Sequence, residues 1–143
     1  MTLNEIERQN LILHILSKVK VVGGYSKFYN IIYLLKEKNS HELADYKFDS
    51  HFLTIKDNVL DNDLNALIIA GFISNDHVEQ KLAHEHELKI KKYGDSYLKL
   101  YNIDKNFKKK FGKTFLKNID KTIEKYNDMT TNELMRLVQE RIS

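Results

Sequence analysis

The two histidines closest to a metal-ligand spacing are His84 and His86. On a strand, residues two apart share a face, so the two imidazoles could chelate a metal while Glu85 points to the opposite side. No third ligand is apparent nearby in the sequence. A solvated histidine pair is therefore the simpler interpretation, and no metal site is expected.

Three aspartates, at positions 57, 61 and 63, could suggest acid–base chemistry. Asp57 and Asp61 are one helical turn apart, but Asp57 also occupies a capping position and no nucleophile motif accompanies them. A solvated helix face is the predicted arrangement.

Gly23-Gly24 lacks the further glycines and the Lys-Ser/Thr of a phosphate loop and is interpreted as a turn. The chain has no cysteine, which excludes thiolate catalysis and cysteine-ligated zinc. We expect no catalytic residue, no cofactor and no enzyme activity.

Composition predicts one folded domain. The 143 residues are 42% hydrophobic and 30% charged, which is ordinary for a globular protein. No apolar run approaches the ~18 residues of a membrane span, and the N-terminus carries acids where a signal peptide would be basic. A cytoplasmic protein without a membrane partner is expected. The absence of proline and the five glycines favour a helix-rich chain.

Apolar spacing predicts three helices in the first half. The first covers about residues 4–19 and ends at VVGGYS, interpreted as a break. The second follows a Ser26 N-cap and runs from Lys27 to Lys38. A short strand is predicted near residues 46–48. Asp57 then caps a third helix that continues to Ala70, with Leu64 and Leu67 on its core side.

A two-stranded ribbon is predicted next. Gly71 is a C-cap candidate, FIS begins a strand, SNDHVEQ forms the tip, and HELKIKK returns with alternating apolar residues. Three helices followed by a ribbon predict a mainly α (α+β) winged helix-turn-helix over residues 1–103. Residues 104–143 form a C-terminal helical extension, either part of the same folded unit or a dimerisation segment. We expect a bend at Gly112 and a Thr130–Glu133 capping box before the last helix.

Several segments resemble the YwgA-like family of small prokaryotic winged-helix proteins, distantly akin to Panacea-type antitoxin domains. The segments SKFYNIIYLLK, YKFDSHF and ELKIKKYGDSYLKL match its helix and strand patterns. Leu60, Asp63 and Leu64 fall on its L-x-x-D-L motif, and residues 71–73 fall on its strand entry. Thr54 and Ile55 replace the Gly and Pro of the family's YGPYS turn. The resemblance implies a winged-helix fold more than a particular function.

The third helix is the expected DNA-recognition helix. A recognition helix usually presents Arg, Lys, Asn or Gln to base edges, yet residues 57–70 contain three aspartates, three asparagines and no basic residue. Because aspartate repels phosphate, this composition weakens the case for DNA binding through the third helix without removing it. The predicted DNA-binding residues are those with suitable chemistry at the helix starts, on this helix and on the wing: Lys27, Lys56, Asn58, Asn62, Lys89, Lys91 and Lys92.

Lysine is concentrated in the second half. Residues 81–125 hold thirteen lysines against six acidic residues, a net charge of +7. Lysines recur every four residues from Lys105 to Lys125. This stripe either contacts phosphates with little base specificity or is the solvated side of an amphipathic helix, and the lack of arginine there favours the second interpretation.

An apolar stripe runs through the same segment. It consists of Phe107, Phe111, Phe115, Ile119 and Ile123. We expect it to be surplus to a small three-helix core and to form a homodimer interface. The sequence thus predicts a transcriptional regulator that binds duplex DNA through wing and C-terminal lysines. The alternative is a protein-binding module, an antitoxin-like partner that masks another protein.

Overall fold

Seven helices and five short strands form the part of the chain that the structure covers. The computed structural model describes residues 1–51, 54–79 and 84–142. The helices are α1 Glu5–Val19, α2 Tyr25–Lys38, α3 Asn58–Ile69, α4 Lys92–Leu100, α5 Ile103–Phe111, α6 Phe115–Asn127 and α7 Thr131–Ile142. The strands are β1 Val21–Gly23, β2 Asp49–His51, β3 Thr54–Lys56, β4 Ile73–Glu79 and β5 His84–Ile90. The expectation of a mainly helical chain is confirmed.

The first three helices begin at local caps. In α1, Asn4 accepts a hydrogen bond from the Glu7 amide and the Glu7 carboxylate accepts one from the Asn4 amide, a capping box. Asp57 caps α3 by accepting from the Leu60 amide at 2.8 Å, as predicted. Ser26 is not the cap of α2, because the chain already turns at Gly24, whose φ of 113° suits glycine.

A three-stranded antiparallel sheet has the order β1–β5–β4. The segment VVGGYS was predicted to be a simple break after α1, and this is wrong, because its first three residues form strand β1. Val22 of β1 pairs with Leu88 of β5, and both side chains are buried. β4 continues through residues predicted as the ribbon tip, because Ser74–Glu79 pair with β5. The connection at 80–83 lies outside the described residues.

A separate hairpin precedes α3. A strand was predicted near residues 46–48, but the observed strand β2 begins later, at Asp49. It pairs with β3, with Asp49 opposite Lys56 and His51 opposite Thr54. Tyr46 is instead a buried core residue. Gly71 ends α3 with a φ of 80°, while the Phe72 amide donates to the Leu67 carbonyl. This confirms the predicted C-terminal glycine.

The C-terminal helices break where the sequence predicts a bend. Gly112 has a φ of 97° and separates α5 from α6. Before α7, the Thr130 hydroxyl accepts from the Glu133 amide, and the Glu133 carboxylate accepts from the Thr130 amide. The predicted capping box is therefore confirmed.

One cluster of buried side chains joins both halves of the chain. Leu64 and Leu67 belong to it as predicted, with 1% and 2% of their surface exposed. Buried residues of α5, α6 and α7 belong to the same cluster. α6 contacts α1 and α2, and α7 contacts α2. Residues 104–143 thus complete the core formed by the first helices.

Candidate nucleic-acid interface

The three aspartates of the α3 region turn inward. Asp57 is buried and accepts from the Leu60 and Lys47 amides, both at 2.8 Å. Asp63 is also buried, and Asp61 accepts a hydrogen bond from the Tyr29 hydroxyl. The predicted solvated acidic face is wrong, because each carboxylate satisfies a donor of the protein instead of water.

Asp63 is the centre of a buried ionic cluster. Its Oδ2 accepts from Arg8 Nε at 2.9 Å and from the Tyr46 hydroxyl at 2.8 Å. Arg8 Nη1 also contacts Asp45 Oδ2 at 2.9 Å. Burial opposes the charged form of Arg8, but the hydrogen bond and charge of Asp63 raise the pKa of Arg8 above its ordinary value. The cluster fixes α1 to α3.

Two tyrosines are held protonated by the same acids. Burial, and then the charge and hydrogen bond of Asp63, raise the pKa of Tyr46 well above its ordinary value. Burial, followed by the hydrogen bond to Asp61, raises the pKa of Tyr29. Both phenols therefore remain donors, which stabilises the inward orientation of the two carboxylates.

The outward side of α3 is neutral and rich in amides. We call it the α3 amide face, and it consists of Asn58, Asn62, Asn65 and Ile69. The three asparagines are exposed, and Ile69 has 85% of its surface exposed. Their spacing of four, three and four places them along one side of the helix. Asn58 and Asn62 were predicted to contact DNA, whereas the inward orientation of the intervening acids depends on partners distant in the chain.

Two lysines lie beside the start of α3. Lys56 is exposed directly before the Asp57 cap, and Lys47 is exposed with its backbone amide bonded to that cap. Lys47 was not predicted, because only the folded chain brings it to α3. Lys27 lies elsewhere, and its ammonium donates to the Asn127 carbonyl at 2.7 Å. Lys27 therefore connects α2 to the end of α6, and its assignment to DNA contact loses support.

The predicted wing lysines do not form one set. Lys89 is on β5, 3.5 Å from the Glu87 carboxylate. Lys91 is the N-cap of α4 and Lys92 is its first residue, so both lie beyond the β4–β5 strands. Residues 73–90 contain four acids against two lysines. The placement of Lys91 and Lys92 on the wing is therefore wrong, whereas their contact with DNA stays a prediction.

The C-terminal lysine stripe is exposed throughout, from Lys105 to Lys125. Exposure fits both interpretations of this stripe, so they stay open. Lys110, which is outside the stripe, pairs with Glu7 at 2.7 Å and ties α5 to α1.

The phenylalanine stripe packs inside the chain. Phe107, Phe115, Ile119 and Ile123 are buried in the core, and Phe111 is partly buried beside Phe107 and Phe115. The prediction that these five residues form a dimer interface is therefore wrong. The break at Gly112 turns α6 back so that the stripe covers α1 and α2 rather than a second copy.

Aromatic residues lie instead along α4 and beside it at Phe72, with Tyr93 and Tyr101 exposed and Phe72 and Tyr97 partly buried. Ring centroids are 5.2 Å apart for Tyr93 and Phe72, 5.0 Å for Phe72 and Tyr97, and 5.1 Å for Tyr97 and Tyr101. Leu100 lies on the same side of the helix and is 73% exposed. We call these five residues the α4 aromatic surface. Periodicity did not identify it because the segment DSYLKLY is short and partly polar.

A buried histidine was also missed by sequence analysis. His14 is 1% exposed, with Nδ1 3.1 Å from Asp104 Oδ1 and Nε2 2.7 Å from Asp120 Oδ1. Each ring nitrogen therefore lies within hydrogen-bonding distance of a carboxylate oxygen from a different helix. His14 thus joins α1 to both α5 and α6.

The described residues contain no group of three or more potential ligands that could hold a metal ion. Of the predicted histidine pair, His86 lies with Nδ1 2.8 Å from the Asn75 carbonyl, whereas the side chain of His84 lies outside the described part. Among the helices in the described ranges, none is both long and apolar enough to cross a membrane.

Comparison with known proteins returns no relative. No family model matches the chain, and no curated protein or solved structure shows significant similarity to it. The resemblance to the YwgA-like family remains a prediction. In this structure the Asp63 of the matching L-x-x-D-L segment is the acid at the centre of the Arg8 cluster.

Proposed function

We propose that this chain is a winged-helix protein that binds duplex DNA through α3 and acts by binding rather than catalysis. The order α1–β1–α2–α3–β4–β5, with the β2–β3 pair inserted between α2 and α3, and the sheet order β1–β5–β4 support the winged-helix assignment. In such domains the third helix enters the major groove, which is wide enough for one helix. The neutral α3 amide face is the observation that carries the proposal.

Asparagine suits base recognition because its amide can donate to and accept from adenine in a bidentate pair. Asn58 and Asn65 are separated by about 10 Å at 1.5 Å per residue. That distance covers roughly three base steps of 3.4 Å. Ile69, one turn further on, offers an apolar group to a thymine methyl. The α3 amide face is thus suited to a short A·T-containing site.

Phosphate contacts come from Lys47 and Lys56 beside the start of α3. Both are exposed, and neither approaches Asp57 as an ion pair because that carboxylate is turned into the α3 cap. Positive charge at the helix start would fix the register of the helix on the duplex without adding base specificity. Binding should accordingly weaken as salt increases.

A pair of matched substitutions tests the proposal. Asn62→Asp places a carboxylate on the α3 amide face, whereas Asn118→Asp adds the same charge on the exposed surface of α6. We expect Asn62→Asp to weaken binding to a short A·T-containing duplex by about tenfold or more, since it loses a base contact worth ~1–3 kcal/mol and repels phosphate. Asn118→Asp should remain within about twofold of wild type by fluorescence anisotropy. Equal effects of the two variants, or no binding by the wild type, would reject the α3 assignment.

The α4 aromatic surface supports a second candidate, a protein-binding module. Exposed large apolar residues gathered on one face commonly mark an interface. A contact between two copies of this chain is the form that purified protein can test. The candidate predicts that wild type sediments as a dimer and that Leu100→Asp is a folded monomer. A monomeric wild type in sedimentation velocity would count against self-association through this surface.

A further inference from the structure

A groove lined by lysines lies between the end of α1 and the pair α4–α5. It has a volume of about 750 Å³ and includes Lys18, Lys20, Lys99, Lys105 and Lys108. We call it the lysine groove. These side chains come from α1 and its C-cap Lys20, from α4 and from α5, so the groove exists only in the folded chain.

The positive charge of the lysine groove is largely unpaired. Lys99 contacts Asp95 at 3.2 Å, and Asp104, the other acid of the lining, contacts the buried His14. Lys18, Lys20, Lys105 and Lys108 form no ion pair with the residues that the structure describes. The two carboxylates of the lining, Asp95 and Asp104, already have partners. The four remaining lysines therefore favour an anionic occupant of the groove.

The backbone of the groove supplies an independent observation. Lys20 has φ 71° and ψ −47°, a conformation that is strained for a residue with a Cβ. It is the single residue between α1 and β1, so the chain must turn sharply there. Glycine would make this turn without strain, as Gly24 does at the next one. A lysine at a position suited to glycine points to a use for its side chain.

The other positive-φ residue that is not glycine also borders the groove. Asn102 has a φ of 51° at the start of α5. Within the described ranges, Lys20 and Asn102 are the two non-glycine residues with positive φ. Asparagine adopts this left-handed conformation readily, so the strained residue of the groove is Lys20.

We propose that the lysine groove binds a small ligand that carries two or more adjacent phosphate groups. Its volume lies within the ~300–1,000 Å³ range of small-molecule sites. Lysine is a point charge that binds phosphate without requiring a fixed bidentate geometry, so a cluster of lysines suits a compact polyphosphate. This site is separate from the α3 amide face and does not depend on DNA binding.

Calorimetric titration of the full chain with inorganic triphosphate tests the site. Lys20→Gly removes the ammonium and also relieves the backbone, so we expect an unchanged or raised thermal midpoint together with about tenfold weaker triphosphate binding. Lys113→Gly removes an equal charge next to Gly112, outside the lining residues, and should bind within about twofold of wild type. Lys105→Gln, an exposed helix position, should weaken binding in the same direction as Lys20→Gly.

Three results would overturn the proposal. They are no triphosphate binding by wild type, equal weakening by Lys20→Gly and Lys113→Gly, and an effect of Lys20→Gly on duplex DNA but not on triphosphate. The last result would assign the lysines to a nucleic-acid backbone instead of a small ligand. Retention of triphosphate binding by Asn62→Asp would show that the groove acts independently of α3.

Discussion

At the scale of single residues, the orientation of a few acids determines what α3 can do. The chemistry of Asp57, Asp61 and Asp63 suggests a helix that repels DNA, yet all three carboxylates are bonded within the protein. The asparagines between them are left on the surface. The electrostatic character of this helix is therefore set by the donors that face it, above all Arg8 and Tyr29.

Arg8 should be necessary for stability. Arg8→Met leaves Asp63 buried without its cationic partner, and breaking such a pair typically costs about 3–5 kcal/mol. The free energy of unfolding from urea denaturation measures this loss. Arg136→Met, an exposed position on α7, should change it by less than ~0.5 kcal/mol. Similar losses in both variants would mean that the Arg8–Asp63 pair is not a principal stabilising contact.

At the scale of elements, the sequence predicts what is locally encoded. The bounds of α1, the Asp57 cap, the break at Gly112 and the Thr130–Glu133 capping box depend on neighbouring residues and were predicted. β1 was missed because three residues carry too little alternation and its partner, β5, lies more than sixty residues later. The inward aspartates were missed for the same reason, since Arg8 is 55 residues from Asp63.

The apolar stripe shows a further limit. Its spacing indicates a buried face but not what covers that face, because a second copy and the chain's own helices present similar surfaces. α6 contacts α1 and α2, so the stripe is internal. Only the fold around Gly112 distinguishes the two arrangements.

Ile119 tests this assignment. Its side chain is fully buried, so Ile119→Asp should destabilise the protein by more than about 4 kcal/mol, because a buried carboxylate has no partner there. Thermal unfolding followed by circular dichroism measures the effect. Lys117→Asp introduces a carboxylate on the exposed side of the same helix and should be tolerated. A folded, monomeric Ile119→Asp variant of a dimeric wild type would restore the dimer-interface interpretation.

At the scale of the whole molecule, three surfaces differ in chemistry. The α3 amide face is neutral and polar, the α4 aromatic surface is apolar, and the lysine groove is cationic. A shared core holds them in place, with Arg8 joining α1 to α3 and His14 joining α1 to α5 and α6. Each surface therefore can be altered by exposed substitutions without disturbing the core.

The most direct test of DNA binding through α3 is a nuclear magnetic resonance titration of the ¹⁵N-labelled chain with a short A·T-containing duplex. We expect the largest shifts at the backbone and side-chain amides of Asn58, Asn62 and Asn65, with smaller shifts at Lys47 and Lys56. The shifts should diminish as salt is raised, because phosphate contacts release counterions. An absence of shifts at low salt, or shifts confined to α4 or the lysine groove while α3 stays unchanged, would contradict the account.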